Sequence, residues 1–167
     1  MIIRPETAAD ADAVHGVLTA AFRGDDEASL VRLLRLDARV VVSLVAVVDG
    51  DVVGHVLFSR LTIRMETREA RAVSLAPLAV LPAFERRGIG SALVREGLQL
   101  LRAQGERIVI VLGDPPYYTR FGFSPAAAER LRSRYSGPAF MALALVPGAL
   151  DDVAGDVVYA PAFDRFS

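Results

Sequence analysis

The chain contains no cysteine among its 167 residues. Disulfides, thiolate metal sites and a cysteine nucleophile are therefore excluded, and thiol chemistry gives no hint of compartment. Excess charge is also nearly lacking: 19 basic side chains stand against 20 acidic ones, a formal net charge of −1. Without a basic surplus there is no electrostatic case for nucleic acid or an anionic membrane as partner. Long apolar runs are missing too. Each is broken by Asp, Gly or Arg well short of the roughly 20 residues a membrane span needs. The opening Met1-Ile2-Ile3-Arg4-Pro5 runs into an acidic stretch and lacks the pattern of a signal peptide, so a cytoplasmic protein is expected. No His/Asp/Glu group has metal-ligand spacing and no Gly-x-Ser-x-Gly elbow occurs, so neither a metal nor a serine-hydrolase site is expected. Internal repeats, linkers and low-complexity tracts are likewise missing.

What is present fits one compact α/β domain over residues 1–167, with 53% hydrophobic and 23% charged residues. Ile2 and Ile3 suggest a first strand ended by Pro5, which cannot donate a ladder hydrogen bond. Thr7 with Asp10 three places on reads as a capping-box variant. Val14, Val17, Leu18, Ala21 and Phe22 then recur at helical spacing, so a helix is predicted over 8–22 with Gly24 as its stop. Asp25 or Asp26 caps a second helix whose apolar face is Leu30, Leu33 and Leu34. Two β-branched runs, 40–48 and 52–63, flank Asp49-Gly50-Asp51, a strong hairpin signal. Another strand is predicted over 72–81. A helix follows with Ile89, Leu93, Gly97, Leu100 and Leu101 on one face, ending near Gly105. Gly97 costs about 1 kcal/mol against Ala in mid-helix and is read as close packing on the sheet. Residues 107–112 form the next strand, parallel to 72–81 through a βαβ crossover. Asp114 caps a short helix stopped by Gly122, residues 124–137 read as loop with a helical turn, and 139–146 and 156–160 complete the sheet as antiparallel strands.

The most informative stretch runs from Ala76 to Leu93: the end of an apolar strand, the short basic and glycine-containing turn within Glu85-Arg86-Arg87-Gly88-Ile89-Gly90, and the first two turns of a helix. Free backbone N–H groups at a helix start, backed by the positive end of its dipole, bind phosphate. At Gly88 and Gly90 a side chain would keep a pyrophosphate off the backbone, and Arg86 and Arg87 add guanidinium groups suited to phosphate oxygens. A P-loop is excluded because no lysine follows either glycine. A dinucleotide fingerprint is excluded because Leu93 occupies the place of its third small residue. The bland alternative is an ordinary strand-to-helix turn with glycines for tightness.

This run resembles the Gln/Arg-x-x-Gly-x-Gly/Ala signature of the GNAT superfamily of N-acetyltransferases, after a strand ending in a Val-x-Pro-like segment. Both glycines match; the first position departs, with Glu85 in place of Gln or Arg. A second match is Tyr118-x-x-x-Gly122-Phe123, and the segment Tyr-Tyr-x-Arg-Phe-Gly-Phe resembles that of a subgroup of small bacterial members. The resemblance implies a GNAT-type fold: a mixed, mainly antiparallel twisted sheet of about seven strands with a central βαβ unit and flanking helices. It implies acetyl-CoA as cosubstrate, held by Arg86, Arg87, Gly88, Ile89, Gly90 and Ser91, with Leu78, Ala79 and Val80 offering backbone groups to the pantetheine arm and an N–H to the oxyanion. It also implies Tyr118 as general acid to the departing sulfur, with the adjacent Tyr117 as second choice.

No general base stands out. His55 lies in the strand Val52-Val53-Gly54-His55-Val56, expected on or near the acceptor side of the sheet, and histidine as a residue type suits a base near neutral pH, although a lone His among valines is more often a hydrogen-bonded core residue. Asp114 is accounted for by capping, Glu85 and His15 read as surface groups, and deprotonation through water would serve. The reaction expected is acetyl transfer to a primary amine by direct attack in a ternary complex. The acceptor, a small molecule or a peptide, is left open. The rival is an acyl-CoA-binding sensor with the same cleft and no catalysis. The last strand, with Tyr159 and Phe163, is expected to be exposed and able to pair with a second copy as a homodimer.

Overall fold

The computed structural model describes residues 1–166. Its frame is a single sheet of eight strands. The β-branched runs become β2 (Val40–Val48) and β3 (Asp51–Arg64), antiparallel and joined at Asp49-Gly50. Those two residues have φ of 50° and 81°, the consecutive positive values that a tight hairpin turn requires. On the far side of β2 lies β1 (Ile2–Pro5), also antiparallel. On the other side of β3 lies β4 (Glu69–Val80). The crossover helix α3 (Ile89–Ala103) leads to β5 (Ile108–Leu112), which is parallel to β4, and β7 (Phe140–Ala144) closes antiparallel on β5.

Two helices, α1 (Ala11–Phe22) and α2 (Asp26–Leu36), cover one face of the sheet, where Val14, Val17, Leu18, Val31 and Leu34 pack on Val45, Leu57 and Ala79. α3 covers the other face, burying Ile89, Leu93, Val94, Leu98 and Leu101 against Val56, Phe58, Val73 and Leu75. Strand alternation decides which residue meets which helix. Gly97 does pack closely: a Cβ there would sit 2.3 Å from Cε2 of Phe58, a ring with no exposed surface.

β4 and β5 pair only at Val73 with Val109 and Ser74 with Ile110. Past that point they share no ladder, and the sheet is parted between them. This parting, together with the start of α3, positions the candidate site.

Several details differ from the sequence expectation. The first helix does not begin at residue 8: Ala8–Asp10 form a 3-10 turn. The Asp10 carboxylate accepts the Thr7 main-chain N–H at 2.7 Å and both Arg4 nitrogens at 2.7 and 2.9 Å, so it serves two neighbours that a regular helix start would not bring together. The left-handed residue ending α1 is Arg23 (φ 57°), one place before Gly24. Residues 124–137 contain a 3-10 turn, Ala126–Ala128, and also a two-residue strand, β6 (Leu131–Arg132).

The final strand is not an exposed edge. β8 (Gly155–Val158) takes the side of β3 that β2 leaves: β2 pairs as far as Ser59, and β8 pairs with Thr62 to Arg64. On its other side, β6 pairs with its first two residues, Gly155 and Asp156. Tyr159 packs edge-on against Tyr135 at 5.5 Å and beside Phe163 at 5.3 Å. No helix among the described residues is long and apolar enough to cross a membrane.

Candidate active site

Leu78, Ala79 and Val80 end β4 with side chains on alternate faces. Leu78 and Val80 line a cleft of about 530 Å³ on the α3 side, whereas Ala79 is buried under α1 and α2. The chain then passes a 3-10 turn, Pro82–Phe84, and two left-handed residues, Arg86 (φ 61°) and Gly88 (φ 79°). At Gly88 the backbone conformation itself calls for glycine; no atom within 4 Å would obstruct a side chain.

The first α-helical hydrogen bond runs from the Ala92 N–H to the Gly88 carbonyl, 3.0 Å. The amides of Ile89, Gly90 and Ser91 precede it and have no intrahelical acceptor. They border the cleft, with the positive end of the α3 dipole behind them. Phe84 adds an apolar wall, and Arg86 and Arg120 line the rim. Glu85 also lines the cleft and is exposed, so its carboxylate has water to turn into. Arg87 does not line it: the guanidinium stacks on the Phe84 ring at 5.0 Å.

Gly90 has a role the sequence did not reveal. A Cβ at this position would lie 3.0 Å from the Tyr117 hydroxyl and 3.7 Å from Val80, so Gly90 admits Tyr117 to the helix start. There the Tyr117 hydroxyl lies 3.3 Å from Ser91 Oγ. Arg120 stacks on the Tyr117 ring at 4.8 Å, which holds its guanidinium at the cleft. Arg120 was missed by sequence reasoning. Its signal was its position three residues after Tyr117, where side chains on a helical segment meet.

Tyr118 does not line the cleft: it is set deeper, beside Tyr117, and packs against the core on the α3 side. It occupies space that Gly113 leaves open, since a Cβ at 113 would come within 2.4 Å of its ring. Its ring meets Tyr117 at 5.0 Å and Phe123 at 6.0 Å, both edge-on. Burial, with a smaller contribution from Tyr117, pushes its hydroxyl pKa up to about 12. The hydroxyl bonds no group among the described residues. Asp114 caps the short helix α4 (Pro115–Tyr118) through its carbonyl, which accepts from the Tyr117 and Tyr118 amides at 3.0 Å; its carboxylate makes no cap bond and is exposed.

His55 does not reach the cleft. It is fully buried on the sheet face that α1 and α2 cover, opposite Val45 and Ala79 in the neighbouring strands. Its Nε2 lies 2.9 Å from Ser43 Oγ and 3.4 Å from Glu6 Oε1, and Glu6 in turn pairs with Arg35. Burial opposes charge on Glu6, but hydrogen bonds from His55 and Ser43 and the charge of Arg35 outweigh it and hold the carboxyl below its usual range. His55 is thus a core histidine in a polar network on the other side of the sheet. His15 is exposed on α1. No group of three or more His, Asp or Glu that could hold a metal occurs among the described residues.

Comparison with known proteins agrees with this geometry. The model of the acetyltransferase (GNAT) domain family matches residues 2–126. The uncharacterized N-acetyltransferase YhbS of Escherichia coli K12 is 41% identical over 169 residues, covering 99% of this chain and 100% of that protein. The uncharacterized N-acetyltransferase YjhQ of the same strain is 42% identical over 123 residues, 72% of this chain and 68% of that protein. Among solved structures, E. coli YhbS in complex with CoA superposes with a TM-score of 0.92 at 40% identity, covering 99% of this chain and 93% of that one. A GNAT acetyltransferase from Brucella melitensis in complex with acetyl-CoA gives 0.81 at 39% identity, covering 98% and 97%. With signature turn, parted strands and whole-chain likeness in agreement, the chain belongs to the GNAT family of acetyltransferases.

Proposed function

We propose that the protein transfers the acetyl group of acetyl-CoA to a primary amine by direct attack within a ternary complex. The observation that carries this reading is the set of three amides, Ile89 to Ser91, that precede the first helical bond and border the cleft beside Leu78 and Val80. Phosphate groups suit such a helix start, and the guanidiniums of Arg86 and Arg120 add charge at the rim. The apolar wall of Leu78, Val80 and Phe84 suits a pantetheine arm, and the β4 main chain, parted from β5, has hydrogen-bonding groups to offer it. The solved relatives from E. coli and B. melitensis carry CoA and acetyl-CoA, which supports the same ligand here.

In the transfer, the amine nitrogen bonds to the thioester carbonyl carbon, the C–S bond breaks, the amine loses a proton and the sulfur gains one. Proton donation to the departing sulfur makes the leaving group a neutral thiol in place of a thiolate. Tyr118 supplies that proton in this reading. A phenol held near pKa 12 is protonated at neutral pH, which suits a donor and not a base. Tyr117, at the helix start, belongs to cofactor binding and is the second choice as acid. The amine proton leaves through water.

Calorimetry with acetyl-CoA and CoA tests the donor site, and release of free thiol across a panel of amines tests transfer. Gly90→Glu is expected to abolish CoA binding, because the new carboxylate would occupy the helix start and displace Tyr117. Tyr118→Phe is expected to lower kcat by about 10²-fold or more with the CoA Kd nearly unchanged, whereas Tyr117→Phe should weaken CoA binding. Full turnover in Tyr118→Phe would overturn the assignment of the acid. CoA binding without thiol release for any amine would favour a sensor over an enzyme.

A further inference from the structure

At the opposite end of α3 from the cleft lies a second recess, of about 440 Å³, between the beginnings of β4 and β5. It is lined by Arg68, Arg71 and Arg107, with Gln104, Gly105 and Glu106 from the loop that ends the helix. Arg71 lies two residues before Val73 and Arg107 two before Val109, the residues at which β4 and β5 pair, and both arginines line the same recess. Like charges at such neighbouring positions repel. The recess's one carboxylate, Glu106, is engaged by Arg60 through two bonds of 2.8 and 2.6 Å, and feels Arg71 only through space. Arg68 donates to the carbonyl of Asp152. Among the described residues neither Arg71 nor Arg107 forms a salt bridge, and Glu69, two residues before Arg71, forms none either. The C-terminal end of α3 contributes only about half a negative charge.

We infer that this recess is a binding site for a phosphate group, held between the Arg71 and Arg107 guanidiniums at the closed end of the parted strands. Two unpaired guanidiniums match a dianion, and their planar forks match its oxygens. The site is separate from the donor cleft: α3 has 15 residues, so its ends are about 22 Å apart, beyond the span of one pyrophosphate. It also stands apart from the acetyl-transfer chemistry, since neither arginine lines the cleft.

The test is calorimetric titration with inorganic phosphate at constant ionic strength, on the protein saturated with CoA so that phosphate does not occupy the donor cleft. A saturable site is expected. Arg71→Gln/Arg107→Gln should weaken it about tenfold or more, the loss of charge-assisted hydrogen bonds, while Arg86→Gln should leave it intact. Both arginines are exposed, and an unchanged circular dichroism melt would confirm folding of the double variant. Amide shifts at Gly105 and Ile108 in the wild-type protein give a second readout that needs no substitution. Glycerol phosphate in place of inorganic phosphate separates the two sources: tighter binding of the ester would identify a larger phosphorylated molecule as the ligand. Absence of saturable binding, or equal affinity in the double variant, overturns the site. Loss of binding in Arg86→Gln alone would place the phosphate at the α3 start and also overturn it.

Discussion

Gly97 sets helix propensity against core packing. Replacing a mid-helix glycine by alanine favours the helix by about 1 kcal/mol. Here the added methyl would meet Phe58 at 2.3 and 2.7 Å, and that ring is fully buried with no open side. Forcing a group into a filled core costs about 1–3 kcal/mol, so the clash outweighs the gain. Gly97→Ala should therefore lower stability, by up to about 2 kcal/mol, measured by urea denaturation, despite its better helix propensity. An increase in stability would show that Phe58 moves aside freely. That Gly97 packs tightly was legible from its place on the apolar helix face. The reason for Gly90 was not, because it depends on Tyr117, which lies 27 residues later in the chain and is brought back by the fold. His55 shows the same limit. Its strand was evident, but the Ser43 and Glu6 partners that fix it on the far face come from the neighbouring strand and from the turn after β1.

Among the elements, the turn between β1 and α1 carries its own dependence on pH. The Asp10 carboxyl is held well below its usual range, chiefly by the Arg4 guanidinium and then by the Thr7 amide. A depressed folded-state pKa means stability that is present above the unfolded value near 4 and lost as pH falls through the folded value. Asp10→Asn should thus cost about 1–2 kcal/mol at pH 7. The gap between variant and wild type should narrow below pH about 4, read from melting temperatures across that range. A gap independent of pH would mean that the carboxylate charge is not what the turn uses. Helices with a strong apolar face and strands with β-branched runs were readable in this chain, since both patterns are local. The two-residue β6 and the 3-10 start at Ala8 were not: the first is defined only by its pairing with β8, and the second by a side chain reaching back to Arg4.

For the whole molecule, binding at the α3 start links to global stability by mass action. CoA at a hundred times its Kd adds about 2.7 kcal/mol to the folded state. For a chain of this length that is a rise in Tm of roughly 5–10 °C, and Gly90→Glu should show none of it. Absence of a rise in the wild type would contradict the donor site itself. Strand order across the sheet was only partly accessible from sequence. The crossover rule supplies the β4–β5 pair, but the switch of β3 from β2 to β8 rests on contacts between residues nearly a hundred positions apart.

That switch has a bearing on any shortened form of the protein. The stretch matched by the family ends at residue 126, before β7 and β8. A fragment cut there would lack the strand that seals β5 and the one that splints the distal end of β3, baring Ile108–Leu112 and the backbone of Thr62 to Arg64. Raw strand borders of that kind invite other chains to zip onto them. The final 40 or so residues therefore act as the selvedge of the fabric, and the protein should be trimmed, if at all, only outside it.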